Sequence, residues 1–313
     1  MKILFYGASV TQQGGSSGYI QRLQELVTGS PFEISSLGYG ACHFNDAGFY
    51  NLQKVISERP DVCVLEWNTT GLVEFDIKKM NSVLGRLIEN NIYIAFLILP
   101  RRDTNMKGNR RAEELIMDIS ETLEIPLLDI RTSVDFEECV RDDVHTNNIG
   151  ALLYANLIFN WLKITEFKKI NKSFDVVRSV YVNDVNIFVR EKSIIECDLK
   201  FHKSNFFEIV FETTVGPSML NLLISIDAHQ IERSFVDPWC YYERLMFHTV
   251  CQNEDLKFSS DFSKLLIRPS ETLPDYSSLR QLPNIAANQE KGLLVHRIYS
   301  VGVELIDLRI KNG

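Results

Sequence analysis

The chain lacks any apolar run long enough to cross a bilayer as a helix. Its longest, Ile92 to Pro100, is strand-sized against the roughly 18 to 20 residues such a helix needs. It also lacks a basic excess. With 33 Lys and Arg against 41 Asp and Glu, the net charge of −8 disfavours nucleic acid as a partner, because phosphate affinity needs clustered cations. The six cysteines (Cys42, Cys63, Cys139, Cys197, Cys240, Cys251) include no Cys-x-x-Cys pair and have no histidine at ligand spacing, so reduced, buried thiols are expected and neither a metal nor another cofactor. The opening Met1 to Gly7 has one charge and too short an apolar stretch for a secretory signal. It reads as a first strand, and a cytoplasmic location is expected. What is present is an ordinary globular composition, 45% hydrophobic and 24% charged over 313 residues, a length that fits about two domains.

The first half alternates strand and helix patterns. Apolar runs bounded by Gly, Pro or Asn predict strands at Lys2 to Tyr6, Phe32 to Leu37, Asp61 to Leu65, Ile92 to Leu99 and Pro126 to Ile130. Helical spacing predicts helices at Tyr19 to Val27, Ala47 to Ser57, Asp76 to Asn90, Arg110 to Leu123 and Asn147 to Leu162. In the last of these, Ile149, Leu152, Leu153, Leu157 and Trp161 form one stripe, with Thr146 or Asn147 as N-cap. Such alternation implies a parallel sheet covered on both faces, with functional groups at the carboxyl ends of its strands. A polar stretch, Thr165 to Lys172, reads as a linker. Beyond it come short β-type segments: Val176 to Val182, Val185 to Val189, Ile194 to Phe201, Phe206 to Thr213, Leu220 to Ile226, Leu245 to Val250, Lys264 to Ile267, Leu294 to Tyr299 and Val301 to Ile310. They predict an all-β sandwich or jelly-roll-like domain, interrupted by a long loop from Pro269 to Lys291. The expected division is an α/β domain over 1–163 and a β domain over 174–313.

Four strand ends carry residues fit for acyl-transfer chemistry. Ser9, in Gly7-Ala8-Ser9-Val10-Thr11, sits between a strand and a helix start, where backbone N–H groups hold a developing anion. The same string also suits a turn and helix cap. A serine nucleophile needs a histidine base and an orienting carboxylate. His145 lies in Asp142-Asp143-Val144-His145, directly before the last helix, so an aspartate three residues ahead can reach one ring nitrogen and leave the other free. The third strand ends at Asn68 and the second at the glycine turn Gly38-Tyr39-Gly40-Ala41, both candidate sources of oxyanion donors.

In that order these blocks resemble the SGNH/GDSL hydrolases over about residues 1–163. The resemblance implies a flavodoxin-like three-layer α/β/α domain with Ser9 as nucleophile, His145 as base and Asp142 as its orienter, Asp143 being the alternative. It also implies an oxyanion hole built from the Ser9 N–H, the N–H of Gly40 or Ala41, and the Asn68 amide. Three departures stand out: the family's Asp before the serine is Ala8 here, and its Gly and Asp flanking the Asn are Glu66 and Thr69.

The expected activity is that of a serine esterase removing a small acyl group, acetyl foremost, from a carbohydrate or related metabolite. The alternatives are an O-acyltransferase acting on a glycan in surface-polysaccharide assembly and a non-catalytic glycan-binding protein. Arg101 and Arg102, after the fourth strand, are candidate holders of an anionic substrate group, and Trp239, in Asp237 to Arg244, is a candidate sugar-stacking ring. Carbohydrate binding, a lid and oligomerisation are the roles considered for the β domain. The sequence leaves the oligomeric state open.

Overall fold

A computed structural model of the chain describes residues 1–70, 74–107, 110–174, 179–190, 192–201, 207–252, 262–281 and 292–311. It falls into two compact units, Met1–Val176 and Val177–Gly313.

The first unit runs β1 (Lys2–Gly7), α1 (Ser9–Gln12), α2 (Tyr19–Leu26), β2 (Glu33–Gly38), α3 (Leu52–Glu58), β3 (Val62–Glu66), α4 (Ile77–Glu89), β4 (Tyr93–Ile98), α5 (Arg102–Lys107), α6 (Arg111–Leu123), β5 (Leu127–Asp129), α7 (Phe136–Cys139) and α8 (Asn148–Ile164). Its five strands are parallel in the order β2-β1-β3-β4-β5. Successive residues of a strand point to opposite faces. Ile3, Phe5, Val62, Val64, Ala95 and Leu97 pack with Tyr19, Leu23, Tyr154 and Ile158 of α2 and α8. Leu4, Tyr6, Cys63 and Phe96, on the other face, are buried too, as a three-layer arrangement requires.

The structure departs from the sequence expectation in three places here. The segment predicted as a helix from Ala47 is a single wide turn, Phe44–Gly48, followed by the shorter α3. The short helices α1, α5 and α7 were not anticipated. In α8 the buried face is Gly150, Ala151, Tyr154, Ala155, Ile158 and Leu162, whereas Ile149 and Leu152 of the predicted stripe are exposed. The helix is apolar on nearly every side, so its period did not single out one face. Close approach decided the outcome: a Cβ on Gly150 would lie 2.0 Å from the Cys139 carbonyl oxygen. Gly150→Ala should therefore cost about 1–3 kcal/mol, read as a lowered Tm. Asn147 is the N-cap, its side chain accepting from the Gly150 N–H at 2.9 Å.

The second unit holds β6 (Ser179–Val189), β7 (Ile194–Phe201), β8 (Glu208–Val215), β9 (Leu222–Ile226), β10 (His229–Arg233), β11 (Arg244–Gln252), β12 (Phe262–Pro269), β13 (Leu293–Val301) and β14 (Val303–Lys311). They form antiparallel sheets ordered β10-β9-β12-β7-β14 and β11-β8-β13-β6. Ile195, Cys197 and Leu199 alternate inward along β7, as do Leu265 and Ile267 along β12. They meet Ile209 and Phe211 of β8 in one core, the arrangement of a sandwich. The two segments predicted around Asn183 are one strand, β6. β10 was missed because its sequence is polar and exposed, as befits a sheet edge. The last ten residues of the predicted 269–291 loop lie outside the described residues, as does His202. All six cysteines are buried.

Candidate active site

The end of β1 is fixed by steric necessity. Gly7 pairs with Gly38 on one side and Glu66 on the other, and a Cβ on it would meet the Glu66 carbonyl oxygen at 2.3 Å and Thr11 Oγ1 at 2.6 Å. The chain then turns through Ala8 into α1, with Ser9 half-buried at the first helical position, where a backbone N–H has no partner within the helix. The glycine turn abuts this segment. Gly38 would clash with Gln12 if it carried a Cβ (2.3 Å to the Gln12 nitrogen), and Gly40 with the Gln12 side chain (2.4 Å). Ala41 holds the left-handed backbone at φ 54°, which costs a residue with a Cβ roughly 1–2 kcal/mol.

The loop before α8 is closed on itself. Val140 bridges Thr146, and the Arg141 N–H donates to the His145 carbonyl at 2.8 Å. This closure gives Asp142 and His145 a fixed relation. Asp142 Oδ1 accepts the backbone N–H of Val144 at 2.9 Å and of His145 at 2.8 Å. The carboxylate also faces His145 Nδ1 at 3.0 and 3.1 Å, and His145 Nε2 lies 3.0 Å from Ser9 Oγ. An ionised carboxylate only accepts, so Nδ1 carries the proton and Nε2 is left to accept from Ser9. Burial alone would raise the Asp142 pKa; the two backbone N–H groups and His145 outweigh it and hold the carboxyl below its ordinary range. The loop is stitched to the glycine-rich segment after α1. Gln13 Nε2 donates to the carbonyls of Thr146 (2.9 Å) and Ser17 (2.8 Å), and Thr146 Oγ1 donates to Ser17 O at 2.6 Å.

Asp143, the alternative orienter, turns elsewhere. Its backbone carbonyl accepts from the Arg102 N–H at 3.1 Å and its carboxylate lies 3.5 Å from Arg102 Nε.

Asn68, Arg101, Arg102 and Trp239 are each placed by partners within the protein. The Asn68 side chain is fully buried, its Nδ2 donating to Leu99 O (2.9 Å) and Glu113 Oε1 (3.1 Å) while its Oδ1 accepts from the Leu99 N–H (3.0 Å). Both amide hydrogens are committed, so this amide is no oxyanion donor; it ties the end of β3 to the end of β4. Arg101 is nearly buried and donates to the carbonyls of Thr69 and Thr70 and to Asp103. Arg102 pairs with Glu137 at 2.8 Å and lies over the Phe136 ring at 5.0 Å. The Arg101 guanidinium is thus engaged by the protein itself, while the Arg102 side chain stays 40% exposed beside its surface partners. In the second unit, Trp239 is half-buried with the Arg280 guanidinium 4.0 Å from its ring centroid and Tyr241 at 6.3 Å, so one face of the proposed stacking ring is already covered.

The residue that sequence reasoning missed is Glu66. It is fully buried at the end of β3, its carboxylate accepting from Thr11 Oγ1 and Thr69 Oγ1, each at 2.7 Å. Burial pushes its pKa up to about 7 against the pull of these bonds. The one signal was its place where the resembled family has glycine. No group of His, Cys, Asp and Glu able to hold a metal occurs among the described residues.

No family model and no curated protein matches this chain. Among solved structures, a two-domain esterase (CEX) active on acetylated mannans matches 96% of this chain and 91% of its own at TM-score 0.68 and 14% identity. The same esterase co-crystallised with mannopentaose matches 96% and 90% at TM-score 0.68 and 13% identity. An acetyl xylan esterase, AlAXEase, matches 53% of this chain and 100% of its own at TM-score 0.45 and 22% identity. The chain shares its fold, an α/β unit followed by a β unit, with the two-domain esterase.

Proposed function

We propose that this chain is a serine esterase of the SGNH/GDSL type that removes acetyl groups from a carbohydrate. The observation that carries the reading is the continuous line from Ser9 Oγ through the His145 imidazole to the Asp142 carboxylate, with bonds of 3.0 to 3.1 Å. His145 Nε2 takes the Ser9 proton as Oγ attacks the ester carbonyl. Asp142, held on Nδ1, stabilises the imidazolium that forms, and His145 then gives the proton to the departing sugar oxygen. The carbonyl oxygen, negative in the tetrahedral intermediate, is met by the N–H of Ser9 and that of Gly40 or Ala41, each donor worth about 3 kcal/mol. Water, activated by the same imidazole, releases acetate and restores the serine.

The carbohydrate part of the reading is supported by the fold shared with an esterase active on acetylated mannans. It is tested by offering acetylated and butyrylated forms of one mannooligosaccharide and following free acid. Acetate release at a kcat/KM at least about tenfold above butyrate release is expected, a ratio within what pocket size can supply. Equal rates, or release only from aryl esters and none from the sugar, would overturn it. Faster transfer of acetyl to an added glycan than to water would assign the chain to acyltransfer.

A further inference from the structure

We propose that Glu66 is a positioning residue for the nucleophile, its carboxylate clamping the Ser9 turn from beneath through α1 and the loop after β3. The inference rests on the reading of Ser9 as nucleophile. The geometry is independent of that reading. Thr11, two residues beyond Ser9 on α1, donates to Glu66 Oε2 at 2.7 Å, and Thr69 donates to Oε1 at 2.7 Å. Backbone N–H groups of Thr69 and Ala8 also favour the ionised carboxylate, and the Ala8 N–H donates to the Glu66 carbonyl at 3.1 Å. Ala8, directly before Ser9, and Thr11, two residues after it, are thus both held by Glu66. Gly7 belongs to the same device: a Cβ there would lie 2.8 Å from Glu66 Oε2, so only glycine leaves room for the carboxylate under the turn. Ala8, the residue before the serine, has no polar side chain, and the charge that supports the turn comes instead from the neighbouring strand.

The clamp has a protonation state. Tyr19 OH lies 2.8 Å from Thr11 Oγ1; because the Thr11 hydrogen goes to the Glu66 carboxylate, Tyr19 donates to Thr11 and the chain of donors ends on Glu66. The titratable groups facing Glu66 are the phenols of Tyr19, on α2, and Tyr154, on α8. Burial first, and the Glu66 charge as a further cause, push both up and keep them neutral. A proton on Glu66 would need an acceptor where Thr11 and Thr69 now donate. The clamp therefore closes as pH rises through about 7 and opens below it.

The test is Glu66→Gln, which keeps the shape and removes the charge. Against an aryl acetate, kcat should fall about 10- to 100-fold, the scale of a small misplacement of a reacting group, with KM within about twofold. The acid limb of the kcat/KM profile should show two ionisations in the wild type and one in the variant. Amide exchange at Ala8 to Gln12, measured by NMR without substrate, should be faster in the variant at pH 8 and match the wild type at pH 5. Wild-type kcat, an unchanged acid limb or unchanged exchange in Glu66→Gln would overturn the proposal. Should that variant not fold, Thr69→Val removes one donor; it should move the Glu66 ionisation upward in pH, and an unmoved profile counts against the clamp. The two readings fail separately. Turnover that survives Ser9→Ala removes the nucleophile assignment whatever the exchange data say, while Ser9-dependent turnover with no effect of Glu66→Gln removes the clamp alone.

Discussion

Asp142→Asn is expected to lower kcat roughly 10,000-fold, the scale seen when an orienting aspartate becomes an amide and the imidazole takes the wrong tautomer. Asp143→Asn is expected to leave kcat within about twofold of the wild type, as for a surface charge not facing the reacting groups. The contrast follows from where the two neighbours point. Asp142 faces His145 Nδ1 and is itself fixed by two backbone N–H groups, so an amide there would offer a hydrogen to a nitrogen that must carry one. Asp143 serves Arg102 across the loop. Measuring kcat for both variants under saturating aryl acetate decides between them, and a larger loss in Asp143→Asn would reverse the assignment.

Asn68→Ala is expected to cost about 3 kcal/mol of stability, since it leaves the Leu99 N–H and C=O and the buried Glu113 carboxylate each short of a partner, at about 1–3 kcal/mol for such orphans. Its kcat per folded, titrated active site should stay within about threefold of the wild type. An oxyanion donor would behave the opposite way, losing about 100- to 1,000-fold in kcat with little change in stability. Urea unfolding together with active-site titration of the same preparation separates the two. Full stability with a collapsed kcat would return Asn68 to the oxyanion hole.

Much of the α/β unit was legible because its strands are short, continuous and apolar between Gly, Pro and Asn, and because each catalytic candidate sat at a strand end. The spacing of Asp142 and His145 was readable for the same reason, being local to one closed loop. The orientation of Asn68 was not. Whether its amide points to the site or into the sheet depends on Glu113 and Leu99, 45 and 31 residues away, and no local pattern reports such a pairing. Glu66 was read only as a departure from the resembled family, whereas its bonding becomes visible only when Thr11, 55 residues earlier, is brought against it. The partners of Arg101 and Arg102, offered by the sequence as holders of an anion, were not legible either: the two meet the carbonyls of the loop after β3 and the acids of α7 and Asp143. The apolar stripe of α8 failed through too many candidates rather than too few.

The central claim is that Ser9 becomes covalently acylated with His145 as its base. The direct measurement is rapid mixing of the protein with a chromogenic aryl acetate, followed by peptide mass analysis of the acid-quenched enzyme. The account predicts a burst of released phenol equal to the active-site concentration, an acetyl group on the peptide containing Ser9, and neither in Ser9→Ala. An undiminished burst in Ser9→Ala, or an acetyl group found on another residue of the wild type at burst stoichiometry, would contradict it.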